Sequence, residues 1–144
     1  MNNLFAEETR DESYYKQKFA ELLTDLNMSY DEMDGVNNGI RIRFSGYNMK
    51  NLDVLVLFSN DSVQIGCIIA NFKNKQEVGL SICNDLNSED RFLKFYLVDG
   101  LMMCSIDSYL SEDVGASRVL SLLSKLNRVV DSKYPMLMRS IYGL

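Results

Sequence analysis

Residues 81–90, SICNDLNSED, hold a thiol (Cys83), three carboxylates (Asp85, Glu89, Asp90) and two amides (Asn84, Asn87) in ten positions. That density suits a thiolate nucleophile, a carboxylate cation site or carboxylate acid–base work, and each makes demands on its neighbours. A reactive thiolate needs a cation or helix terminus to lower its pKa, and Cys83 has no basic residue nearby in sequence. A calcium loop needs a glycine and a bidentate glutamate at fixed offsets, and residues 81–90 have neither at the required spacing. The stretch FSGYNMKN (44–51) contains one glycine and matches neither phosphate-cradling spacing. Arg41 and Arg43 would suit an acidic ligand, although two arginines alternating along a strand more simply make a solvated face.

The chain contains no histidine. That removes Cys–His and Ser–His–Asp activation and the usual nitrogen ligands of catalytic zinc or non-haem iron. An enzyme would have to work through carboxylate, lysine or tyrosine. The alternative kept open is therefore a small-molecule or cation-binding enzyme using the carboxylates near Asp85–Asp90 together with Arg41 and Arg43. No residue pattern calls for a cofactor.

The elements that position these groups follow from periodicity. Tyr15, Phe19, Leu22, Leu23 and Leu26 share one stripe of a helix over about Asp11–Met28, with Thr9 and Glu12 spaced as a capping box. After the turn-rich DEMDGVNNG, Ile40, Ile42 and Phe44 alternate with Arg41 and Arg43, the pattern of a half-buried strand. Leu52–Ser59 is apolar on both faces and reads as an interior strand; Val63–Ala70 follows after a short turn and must be antiparallel to it. Asn74 and Glu77 have the spacing of a cap for a second helix, with Val78, Ile82 and Leu86 facing inward and Asn87 suited to a left-handed end. Ser88–Asp90 would then be a loop.

The strongest local signal is RFLKFYLV-DG-LMMCSID. Asp99-Gly100 favours a type I′ turn, pairing Val98 with Leu101, Leu97 with Met102, Phe95 with Cys104 and Leu93 with Ile106 on the core face. The opposite face then carries Phe92, Lys94, Tyr96, Met103, Ser105 and Asp107. Half of it is apolar, and thioethers and aromatics on an open sheet suit a surface that receives apolar partners. Phe92, Lys94, Tyr96, Met103 and Ser105 are the candidate partner-binding residues. A broad apolar stripe from about Gly115 onward predicts a long last helix, which Pro135 should kink or divide near Tyr134.

At 144 residues, 47% apolar and 24% charged, the chain has the composition of one globular domain spanning 1–144. Cys67, Cys83 and Cys104 lack CxxC spacing and lie among apolar residues, as reduced core thiols do. The net charge of −5 disfavours nucleic acid and anionic membrane as partners. With no signal-like start and no long apolar run, the expected location is cytoplasmic. The order expected is α-βββ-α-ββ-α, an α+β fold with a twisted antiparallel sheet and helices mainly on one face.

From about Gln76 onward, three landmarks resemble the YbjN-like bacterial sensory-transduction-regulator family. They are a helix ending in Leu86-Asn87, an aromatic strand running into Asp99-Gly100, and a terminal helix with Tyr134-Pro135. The first 70 residues match that family only in the order of elements. The resemblance implies the type III secretion chaperone-like fold, commonly a homodimer that binds protein segments without catalysis, and it brings no catalytic motif. The resulting expectation is a non-enzymatic, homodimeric protein-binding domain of chaperone-like or regulatory type that holds a partner segment on its open sheet face.

Overall fold

The computed structural model describes residues 13–33 and 38–143. The elements run α1 (Ser13–Asp25), β1 (Asp31–Met33), β2 (Asn38–Phe44), β3 (Leu52–Phe58), β4 (Ser62–Asn71), α2 (Gln76–Glu89), β5 (Lys94–Val98), β6 (Leu101–Tyr109), a 3-10 turn (Glu112–Val114) and α3 (Ala116–Tyr142). The strands form one sheet in the order β1-β2-β3-β4-β6-β5, with every neighbouring pair antiparallel. The helices lie on one face, as expected for this α+β class. The expected order lacked β1, which three residues of a turn-rich connection form by pairing Asp31 with Arg41 and Met33 with Gly39. A strand so short has too little alternation to be visible in sequence.

Alternation decides what each strand buries. Ile40, Ile42, Val54, Val56, Val63, Ile65, Met102, Cys104 and Ile106 all turn toward the helices and are buried. A bulge between Ile68 and Ala70 lets Ile69 and Ala70 bury consecutively while Ile68 stays on the opposite, open face. Phe19 of α1 meets Phe58 of β3 with ring centroids 5.9 Å apart, beneath the α1–α3 contact. α1 stops at Asp25, short of Met28, and Asn27 takes a left-handed φ of 56°, so Leu26 leaves the buried stripe. The Thr9–Glu12 cap lies outside the described residues.

α2 differs from expectation in three ways. Its N-cap position is Lys75, with no side-chain cap, so Asn74 does not open it. Its buried face is Gly79, Cys83 and Leu86 rather than Val78, Ile82 and Leu86. The reason is close approach: a Cβ on Gly79 would lie 2.9 Å from Phe72, so the helix can sit on that ring only along its glycine. Asn87 is helical, and the helix runs to Glu89 before Asp90 turns extended. The Asn87 side chain instead reaches β5: its Nδ2 donates to the Phe95 carbonyl at 2.9 Å, and its Oδ1 accepts the Phe95 N–H at 2.7 Å.

α3 continues through Pro135 as one helix of 27 residues. A proline has no N–H for the carbonyl four residues earlier, which here is that of Asp131. Asn48 donates its Nδ2 to that carbonyl at 3.1 Å. The Asp131 carboxylate accepts the N–H groups of Tyr47, Asn48 and Met49 at 3.1, 2.8 and 2.8 Å. The β2–β3 loop thus supplies what the proline removes, and the helix neither ends nor restarts there.

Candidate functional site

The β5–β6 hairpin folds as its sequence requires. Asp99 and Gly100 take φ of 51° and 80°, and the ladder pairs Val98 with Leu101, Tyr96 with Met103 and Lys94 with Ser105. A residue with a Cβ at position 100 would meet the Lys73 backbone at 2.7 Å, so the turn needs glycine for contact as well as for φ.

On the open face these residues join others from four more strand segments. Cross-strand pairs run Met33–Gly39–Leu57–Gln64–Asp107 and Arg41–Leu55–Gly66–Ser105–Lys94, with Ile68–Met103–Tyr96 beside them. Together they form a concavity of about 660 Å³ lined by Met33, Leu55, Leu57, Ile68, Tyr96 and Met103. Gly66 and Ser105 make its floor, because glycine leaves no side chain above the sheet. Ser105 is 2% exposed, and its Oγ has no hydrogen-bond partner. A buried hydroxyl without a partner costs about 1–3 kcal/mol.

The charges bordering this concavity are matched within the chain. Arg41 pairs with Asp31 at 3.2 Å, Arg43 with Asp53 at 3.2 Å, and Lys94 reaches Asp107 at 4.0 Å. Exposed pairs of this kind add little stability, but they leave the rim near neutral and the apolar floor as its main recognition feature.

Of the residues singled out from sequence, Tyr96, Met103 and Ser105 converge here and Lys94 borders them. Phe92 is not brought together with them. The Asp90 carboxylate accepts the N–H groups of Phe92 and Leu93 at 2.9 and 3.0 Å, so the chain turns before β5 begins and alternation does not extend back to 92. The Phe92 ring instead lies under Lys125 of α3, whose Nζ is 5.5 Å from its centroid. The sequence reading missed Met33, Leu55, Leu57 and Ile68. Leu55 and Leu57 were signalled by the two-sided apolar pattern of LDVLVLF, since an interior strand with an apolar second face has something to present there.

The acidic stretch has structural occupations. Glu89 pairs with Lys133 at 2.9 Å and Asp90 with Lys125 at 3.6 Å. Burial would raise the Asp90 pKa, but the Leu93 and Phe92 amides and Lys125 outweigh it and hold the carboxyl below its ordinary range. Arg41 and Arg43 stand on β2 and pair with Asp31 and Asp53, whereas Asp90 and Glu89 pair with Lys125 and Lys133 of α3 on the helix side. The two groups do not share a site. Among the described residues no three His, Cys, Asp or Glu side chains converge to hold a metal ion, and no helix is long and apolar enough to cross a membrane.

All three thiols are free and buried. Burial pushes Cys67 up to about 12 and raises Cys83 and Cys104 as well. Iodoacetamide at pH about 8 is therefore expected to leave the native protein unlabelled and to modify all three cysteines in denaturant. Rapid labelling of native Cys83 would restore the nucleophile reading.

No protein-family model matches the chain, and no curated protein matches it. Solved structures do. The chain is similar to one in the crystal structure of the ExsC–ExsE complex, with 12% identity and a TM-score of 0.68 over 89% of this chain and 96% of that one. It is also similar to YbjN from E. coli, described as a candidate transcription regulator, with 16% identity and a TM-score of 0.56 over 83% of this chain and 91% of that one. The fold is type III secretion chaperone-like. In this YbjN-like arrangement, the open face of the sheet is the surface that the helices leave uncovered.

Proposed function

We propose that residues 1–144 form one non-enzymatic, cytoplasmic protein-binding domain of chaperone-like or regulatory type that acts as a homodimer. It holds an apolar segment of a partner protein in the concavity of its open face. Tyr96, Met103 and Ser105 make the contact together with Leu55, Leu57 and Ile68, while Lys94 lies at the border. The carrying observation is that apolar concavity, on the face opposite all three helices and rimmed by charges already paired. The ExsC–ExsE complex, a protein assembly containing a chain of similar fold, supports the same reading.

The test replaces Tyr96 and Met103 together by serine. Both are only partly buried, so thermal stability is expected to change by less than about 1 kcal/mol, while a photo-crosslinker placed at Leu55 loses its protein adduct from native lysate. A loss of several kcal/mol would instead make this face internal core. Light scattering tests the homodimer: a strict monomer at high micromolar concentration removes that part of the proposal.

A further inference from the structure

A second cavity, of about 880 Å³, lies on the helix side, between the β2–β3 loop and α3. Met28, Phe44, Leu120 and Leu123 give it an apolar floor, and Lys50 and Arg128 stand at its mouth. Its size is that of a small-molecule site, and such sites combine an apolar lining with few polar groups.

Two observations point to a ligand. Asn127 lines the cavity on the buried face of α3, is 8% exposed, and has an amide oxygen with no hydrogen-bond partner. A helix position flanked by Leu123, Leu126 and Val130, all buried, would be better filled by leucine if packing were its only role. Arg128, exposed at the rim, makes no ion pair among the described residues, whereas Lys125 and Lys133 on the same helix both do. The nearby Asp131 carboxylate already accepts three loop N–H groups, and Lys50 adds to the positive field around it. The mouth therefore carries a net positive charge above an apolar floor.

We propose that this cavity binds a small organic anion with an apolar body, of the class of a medium-chain carboxylate. Its chain lies on Phe44, Leu120 and Leu123, its charge sits between Lys50 and Arg128, and one polar atom pairs with the Asn127 amide. The amide can present either its oxygen or its nitrogen by rotation.

Decanoate titrated into the isotope-labelled full chain tests this, followed by amide resonances. Saturable shifts are expected in residues 44–50 and 120–131, weakened about tenfold by Arg128→Gln, which removes one charged contact. Decanol, with the same chain and no charge, is expected to bind more weakly by a similar factor. Asn127→Leu is expected to fold and to lose the shifts; should it not fold, the surface variant Arg128→Gln still decides the matter. The proposal is overturned by no saturation at millimolar decanoate, by equal binding of decanol, by indifference to Arg128→Gln, or by shifts confined to the open sheet face.

Discussion

Replacing Asn87 by alanine is expected to destabilise the protein by about 2–4 kcal/mol and to make it self-associate. The cost follows from two part-buried hydrogen bonds, each leaving a Phe95 backbone group unpaired at about 1–3 kcal/mol. Association follows from where that strand lies. β5 ends the sheet, so its outward N–H and C=O groups are a template for another strand. Because Phe95 bonds to Asn87, the alternation of an antiparallel ladder turns the backbone groups of Leu93, Phe95 and Leu97 outward. Asn87 takes both groups of Phe95, and Asp90 takes the N–H of Leu93. One amide side chain thus stands in for a missing strand. The far edge is guarded differently, by β1, which is three residues long and carries Asp31 and Glu32.

Chemical denaturation and concentration-dependent light scattering measure the two effects. Asn87→Asp is a sharper probe. The substituted carboxylate still accepts the Phe95 N–H but faces the Phe95 carbonyl with a second acceptor, so part of the lost stability should return on acidification, when the protonated acid can donate. An Asn87→Ala variant as stable and as monodisperse as the parent would show that the edge needs no such cap.

Replacing Asp131 by alanine carries the other large effect, about 1–2 kcal/mol after allowance for solvent screening of an exposed group. The Met49 amide, with the Asn48 and Tyr47 amides and the Lys50 charge, together outweigh the opposing effect of burial and hold the Asp131 carboxyl below its ordinary value. A depressed folded-state pKa gives stability that is present above about pH 4, the value in the unfolded chain, and is lost as pH falls through the folded value. The gap in unfolding free energy between parent and variant should therefore be constant near neutrality and narrow below about pH 4. A gap that persists at pH about 2 would assign the effect to packing rather than to the carboxylate.

Both residues show how far the sequence could be read. The hairpin register from Lys94–Ser105 to the turn was legible because it depends only on a dipeptide that tolerates positive φ and on alternation on either side, whereas the expected Leu93–Ile106 pair lies beyond the ladder, which begins at Lys94. The strand cores of β2, β3 and β4 and the inner face of α3 were legible for the same reason: a period of two or 3.6 is a local property of the chain. The landmark Leu86-Asn87 was visible, but its left-handed reading was mistaken, because what Asn87 does depends on a strand that begins seven residues later. Pro135 reads as a helix breaker until Asn48, far away in sequence, is seen to take the carbonyl it frees. The face of α2 followed Gly79 rather than the most apolar residues because the Phe72 ring admits nothing larger.

The candidate site divides along the same line. The sequence by itself determined that an apolar face opposes the core at Tyr96 and Met103, since a two-residue turn sets that register without help from the rest of the chain. Only the tertiary structure placed Leu55, Leu57 and Ile68 beside them, turned Phe92 away, and showed that Ser105 is buried without a partner. Those outcomes depend on strand order and on which charges find each other across the sheet, contacts between residues distant in the chain that no local periodicity encodes.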